Sequence, residues 1–233
     1  MSNSEPANRA TLPAKPQPLI DAPAIVFVVD DDRSVCASVR RLLLSAGYHV
    51  RAFSRTKQLF GHGRPVGPCC LILDVQLADE NGLTFQDDLA RAGISVPIIF
   101  LSGHADVPMS VRAMKSGAAD FMTKPFDAKQ MLRAVDRALA EDSRALLVAR
   151  QVSELKRRLD DLTPREREVF AAVTSGMLNK EIAVDLQVAE KTIKVHRGRV
   201  MEKMQAIALA ELVRMADTLQ IRYERNEPAP QSS

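Results

Sequence analysis

Short apolar runs punctuate the first half of the chain at Ile25–Val29, Cys69–Leu73 and Pro97–Leu101, with weaker ones at His49–Phe53 and Asp120–Thr123. Runs of that length suit strands buried on both faces, and the intervals between them carry apolar residues at helical spacing. Strands alternating with helices predict an open, parallel α/β sheet. After Phe126 the period changes: Met131, Val135, Leu139, Leu146, Val152, Leu155, Leu159 and Leu162 fall on helical steps with charged or small residues between them. This predicts a long, coiled-coil-like linker helix between two domains. A new helix starts at Thr163-Pro164-Arg165-Glu166, where Thr suits the N-cap, Pro the first helical position and Glu the closing of a capping box. From there to about Tyr223 every pattern is helical.

The 233 residues are 46% hydrophobic and 26% charged, enough for two ordinary cores and unlike collagen, disordered or disulfide-rich chains. A net charge of +3 is too mild to imply a nucleic-acid partner, so that case has to come from local clustering. Cys36, Cys69 and Cys70 lack metal-type spacing and read as core thiols of a reducing compartment. No apolar stretch approaches the ~20 residues of a membrane span, and the polar, Pro-rich start has no signal core, so a cytoplasmic protein is expected. His62 and His104 are scattered and receive no role.

Ligands of open α/β sheets collect at the carboxyl ends of the strands, where strand order reverses. The residues there are Asp30-Asp31-Asp32, Asp74, Ser102 and Lys124. Carboxylates so grouped repel and raise one another's pKa unless a cation holds them, and a hard ion such as Mg²⁺ suits that demand. Asp74 can then act as a nucleophile toward a phosphoryl group, with Lys124 offering a positive charge and Ser102 a hydroxyl to the transferred oxygens.

These residues resemble the CheY-like receiver domain, through Val28-Val29-Asp30-Asp31-Asp32, Leu73-Asp74, Leu101-Ser102-Gly103 and Thr123-Lys124-Pro125-Phe126. The resemblance implies a flavodoxin-like, doubly wound, five-stranded parallel sheet. It implies that Asp74 is phosphorylated by a sensor histidine kinase and that Asp31, Asp74 and the Gln76 carbonyl ligate Mg²⁺ while Asp30 acts through water. It further implies a cis Lys124-Pro125 peptide and a switch pair, Ser102 and Phe121, that follows the phosphoryl group. Leu77-Ala78-Asp79 departs from the Pro-containing segment usual after the acceptor.

Clustering of charge appears at Lys191–Lys203, where Lys191, Lys194, Arg197, Arg199 and Lys203 face only Glu202, a local charge of +4. On a helix Ile193, Val200 and Met204 share the inner side while Lys191, Lys194, Val195 and Gly198 share the outer one. The short helix Asn179–Leu186 and the connection Gln187-Val188-Ala189 give helix-turn-helix proportions, fit for double-stranded DNA. Leu162–Val169, Asn179-Lys180-Glu181-Ile182-Ala183 and Lys191-Thr192-Ile193-Lys194-Val195-His196 resemble the four-helix LuxR-type DNA-binding domain in its NarL/FixJ setting. That resemblance implies base reading by Lys194 and Val195, with Thr192, Arg197 and Arg199 on the backbone; Lys191 and Lys203 complete the expected DNA-binding set. Gly198 costs ~1 kcal/mol inside a helix, and Ala189 forgoes an N-cap bond of ~1 kcal/mol.

The expected division is a disordered leader 1–23, a receiver 24–139, a linker helix 140–158, a DNA-binding domain 159–224 and a disordered tail 225–233. The expected function is that of a two-component response regulator: phosphorylation drives homodimerisation through an apolar surface at Val111, Met114 and Met131, and the dimer binds DNA and regulates transcription, with RNA polymerase a further partner. An enzymatic reading, phosphate hydrolysis on Asp74, lacks a general acid two residues on, where Gln76 stands. A phosphate-independent interaction module would leave the set Asp31, Asp74, Ser102 and Lys124 unexplained.

Overall fold

Alternate residues of each central strand serve opposite cores. Val26, Val28, Cys70, Ile72, Ile99 and Leu101 belong to one buried cluster, and Phe27, Val29, Leu71, Leu73, Ile98 and Phe100 to another. Two-sided burial is why these strands read as unbroken apolar runs. The computed structural model describes residues 22–60, 64–78, 80–103 and 107–223, in two compact units that meet in sequence at Leu147 and Val148.

In the first unit β1 (Ile25–Val29), β2 (His49–Phe53), β3 (Cys69–Asp74), β6 (Ile98–Ser102) and β7 (Asp120–Thr123) form a parallel sheet in the order β2-β1-β3-β6-β7. The order reverses at β1 and β3, so their carboxyl ends flank the crevice where such sheets take ligands. Helices α1 (Arg33–Ser45), α2 (Thr56–Phe60), α3 (Gly82–Arg91) and α4 (Val107–Lys115) alternate with the strands. A short antiparallel pair, β4 (Gln76–Leu77) and β5 (Glu80–Asn81), follows the third sheet strand and carries too little pattern to be seen in the sequence.

Helix α5 runs unbroken from Ala128 to Asp160, so the expected linker 140–158 is a continuation of it, with no break after the receiver. Asp142 and Leu146, beyond the expected receiver end at 139, are buried in the first unit. Met131 is wholly buried, which removes it from the apolar surface expected with Val111 and Met114; those two are 44% and 48% exposed. Met131 packs on the same core face as Val39 and Leu43 of α1, so its helical stripe points inward.

The second unit holds α6 (Pro164–Thr174), α7 (Asn179–Asp185), α8 (Glu190–Met204) and α9 (Leu209–Leu219) around Phe170, Ile182, Ile193, Val200, Met204 and Leu212. Thr163 and Glu166 close the expected capping box with Pro at the first turn, whereas Ala189 caps α8 with no side-chain bond. Leader residues 1–21, His62, Asp79, His104 and residues 224–233 lie outside the described residues.

Candidate functional site

The sheet delivers Asp30 just after β1, Asp74 at the end of β3, Ser102 at the end of β6 and Lys124 just after β7, all at one edge. Lys124 Nζ lies 2.8 Å from Asp30 Oδ2 and 3.0 Å from Asp74 Oδ2, with Asp30 and Asp74 buried and Asp31 exposed. Burial pushes the Asp30 carboxyl above its usual range and the Asp74 charge adds to this, while Lys124 pulls the other way. Burial alone would depress the Lys124 ammonium, yet hydrogen bonds and charges from Asp30 and Asp74 together outweigh it and hold its pKa up. One oxygen each from Asp30, Asp31 and Asp74 lies within 4.8 Å of the others. Three hard oxygen donors at that spacing fit an ion of the Mg²⁺ type.

Asp30 Oδ1 also accepts from the Asp32 backbone N–H at 2.9 Å, and Asp32 caps α1 by accepting from Ser34 and Val35. The three consecutive acids therefore divide their work, the third serving the helix rather than the cluster. The Gln76 N–H points to Asp74 Oδ1 at 3.4 Å. Gly82 is a residue that sequence reasoning missed: a Cβ there would stand 2.4 Å from the Asp74 carbonyl oxygen, so only glycine lets α3 start this close to the end of β3. Ser102 is fully buried, its Oγ 4.0 Å from Met109 Sδ. Phe121 is half-buried, its ring 6.3 Å from that of Phe100. Lys124-Pro125 is cis.

In the second unit α8 turns Ile193, Val200 and Met204 inward and leaves Lys191, Lys194, Val195 and Gly198 exposed, as the wheel predicts, with Thr192 and Arg199 exposed beside them. Such a face, following a short helix and a tight turn, fits the major groove.

Comparison with known proteins agrees with this pairing of sites. Residues 26–136 match the family described as response regulator receiver domain, and residues 160–216 match the LuxR family of bacterial regulatory proteins. Nodulation protein W of Bradyrhizobium diazoefficiens is 45% identical over 204 residues, covering 88% of this chain and 90% of that protein. FixJ of Rhizobium meliloti is 37% identical over 191 residues, covering 82% of this chain and 94% of that one. The solved structure of the response regulator StyR aligns over 84% of this chain and 99% of its own, with a TM-score of 0.76 and 38% identity. The chain belongs to the NarL/FixJ-type response regulators. It thus pairs a receiver with a LuxR-type DNA-binding domain, the organisation of two-component transcription regulation, and the family implies a histidine kinase partner and binding to DNA. Among the described residues no helix is long and apolar enough to cross a membrane.

Two side chains of this response regulator's basic set differ from the others. Lys203 Nζ lies 2.6 Å from Glu166 Oε2 and 3.1 Å from the Asp161 carbonyl, so it is engaged inside the helical unit instead of facing outward. Its place in the last turn of α8, nine residues beyond Lys194, explains the different neighbourhood. Arg197 is half-buried and donates to Asn179 Oδ1 at 3.2 Å, bracing α8 against α7.

A buried ion pair in the receiver also escaped the sequence reading. Asp142, 2% exposed, accepts from Arg64 Nη2 at 2.7 and 2.8 Å and from the Cys69 N–H at 2.8 Å. An acid falling on the apolar stripe of α5 was the available signal. Burial, with the Asp142 charge next, lifts the Cys69 thiol to about 12, in keeping with an inert core thiol.

Proposed function

We propose that Asp74 is the phosphoacceptor of this regulator and that its phosphorylation drives homodimerisation and sequence-specific DNA binding. The observation that carries this is Lys124 set between Asp30 and Asp74, with the oxygens of Asp30, Asp31 and Asp74 inside 4.8 Å, at the strand-order reversal. Asp31, Asp74 and the Gln76 carbonyl would hold Mg²⁺, with Asp30 acting through water. When bound, the ion neutralises charge on the transferred phosphoryl oxygens. Lys124 then moves from its Asp partners toward those oxygens, and the Ser102 hydroxyl donates to them, drawing the β6 end inward with Phe121 following. The buried Asp30–Asp74 pair keeps Lys124 charged and in place until then.

Exposed Val111 and Met114 on α4 offer the receiver an apolar surface for a second copy. A dimer presents two recognition helices, raising apparent affinity through effective concentration. Lys194 and Val195 would read bases, while Lys191, Thr192, Arg197 and Arg199 hold phosphates; Lys203 is instead paired with Glu166. The chain would act as a regulator rather than an enzyme, in the cytoplasm, with RNA polymerase as a partner, and divide as leader, receiver, linker helix, DNA-binding domain and tail. Wild type and Asp74→Asn, incubated with acetyl phosphate and Mg²⁺ and weighed intact, test the acceptor: an adduct on wild type only is expected, and equal adducts would refute it.

A further inference from the structure

The candidate Mg²⁺ ligands come from separate segments. Asp30 and Asp31 follow β1, whereas Gln76 lies on β4 and pairs with Asn81 of β5, while Leu77 pairs with Glu80. So short an antiparallel pair is marginal by itself and needs outside support to hold one position. Its base has that support: the Gly82 N–H donates to the Val75 carbonyl at 2.9 Å, and Asn81 caps α3. Its flank faces a hollow of about 470 Å³, lined by Asp31, Thr56, Leu77 and Glu80 among others, so close packing does not fix it there. Thr56 crosses to that flank. It starts α2, is 2% exposed and donates its hydroxyl to a Glu80 carboxylate oxygen. Thr56 is also fixed to the acidic side, because it closely follows Phe53, whose carbonyl accepts from the Asp30 N–H at 3.2 Å and whose ring stacks on Phe27 of β1. Short links therefore join Asp30 to Phe53, Phe53 along the chain to Thr56, Thr56 to Glu80, and Glu80 across the hairpin to Leu77, next to Gln76.

We propose that Thr56 and Glu80 are positioning residues of the Mg²⁺ site: their bond sets the spacing between the Asp31 carboxylate and the Gln76 carbonyl, and with it the affinity for the ion. The proposal rests on the reading that Asp31, Asp74 and the Gln76 carbonyl hold Mg²⁺. That ion demands near-ideal octahedral geometry at short range, so its affinity depends on where each ligand is held. Glu80 stands outside the group of carboxylates, Asp30, Asp31 and Asp74, whose oxygens close to within 4.8 Å, so it acts through the hairpin. A hydroxyl donating to a carboxylate is among the stronger side-chain bonds, and burial of Thr56 keeps water from replacing it. Val would fill the space of Thr56 without a donor. Gln in place of Glu80 would keep an acceptor without the charge.

The test is calorimetric titration of the full-length protein with Mg²⁺ alone, on wild type, Thr56→Val, Thr56→Ser, Glu80→Ala, Glu80→Gln and Asp31→Asn. Thr56→Val and Glu80→Ala break the bond from its two ends. Each should weaken Mg²⁺ binding by about three- to tenfold, short of the ~10–100-fold typical of a partner bonded directly to a ligand, while Thr56→Ser and Glu80→Gln stay within about twofold of wild type. Glu80 is only half-buried, so Glu80→Ala decides the matter even if Thr56→Val does not fold. Phosphorylation by acetyl phosphate gives a second readout: in the two broken variants the Mg²⁺ concentration for half-saturation should rise by the same factor, with the rate at saturating Mg²⁺ unchanged. Wild-type affinity in both broken variants would overturn the tie. A loss in Glu80→Gln as large as in Glu80→Ala would do so too, since the charge and not the bond would then be at work. Mg²⁺ binding absent from wild type, or untouched by Asp31→Asn, would instead overturn the metal set beneath the proposal.

Discussion

Lys203 Nζ stands 2.6 Å from Glu166 Oε2, tying the end of α8 to the start of α6. Glu166 is 2% exposed and also closes the capping box on the Thr163 N–H at 2.9 Å, so one carboxylate serves a helix cap and an ion pair at once. Removing the cation leaves a buried carboxylate short of a partner, at a cost of about 1–3 kcal/mol. Lys203→Ala should therefore lower the unfolding midpoint of the C-terminal unit while its DNA affinity, measured well below that midpoint, changes little. Lost affinity at an unchanged midpoint would return Lys203 to the DNA-binding set.

The same pair has a pH signature. Burial works to raise the Glu166 carboxyl, but hydrogen bonds from Lys203 and Thr163 prevail and hold it below the usual carboxylate range. A carboxyl depressed in the folded state contributes stability above its unfolded value of 4.5 and loses it as pH falls through the folded value. Urea midpoints of wild type and Glu166→Gln should thus be furthest apart near neutrality and converge below about pH 4.5. A gap that persists unchanged into strong acid would show that the stabilisation is not ionic.

Asp142 holds the far end of β3 as Asp74 holds the near one: its oxygens satisfy Arg64 and the Cys69 N–H, at the first residue of the strand. Truncation takes the counter-charge from a guanidinium 25% exposed in its side chain, leaving it the Ser95 carbonyl, and orphans the Cys69 N–H. Breaking a buried pair from one side costs about 3–5 kcal/mol. Asp142→Ala should unfold the receiver at markedly lower urea, and Asp142→Asn should recover part of the loss by still accepting from Cys69. A loss under about 1 kcal/mol for Asp142→Ala would mean that the pair is relaxed and solvated in solution.

How much of this was legible in the sequence follows from which residues speak for themselves. The three central strands were plainest, because two-sided burial writes Val26–Val29, Cys69–Leu73 and Ile98–Leu101 as continuous apolar text, whereas the less buried β2 and β7 left only weaker runs. The acidic centre was legible too, since sheet topology predicts that chemistry gathers at strand ends, and Asp30, Asp74 and Lys124 do meet there. Long-range pairing was not. Arg64–Asp142 joins residues 78 apart and Lys203–Glu166 joins residues 37 apart, and no local pattern around either member names its partner. Gly82 was silent for another reason: its requirement comes from the backbone of β3 beside it.

On α8, Lys194 and Arg199 are both exposed, but Lys194 Nζ lies 3.4 Å from Glu190 Oε1, one helical turn earlier. An exposed pair of this kind is worth little, so it holds Lys194 only loosely along the helix. Docking in a major groove would draw Lys194 to a base edge and bring the Glu190 carboxylate toward phosphates, which repel it. Lys194→Ala should cost about 1–3 kcal/mol on the specific site and much less on random DNA. Arg199→Ala should weaken both alike and flatten the dependence of affinity on salt by about one counterion. Glu190→Gln separates the roles further: removal of the repulsion should strengthen binding to both DNAs, more at low salt than at high. Titrations of the three variants on specific and random duplexes at two salt concentrations would decide it. Equal losses on both duplexes for Lys194→Ala, or weaker binding for Glu190→Gln, would place Lys194 on the backbone with Arg199.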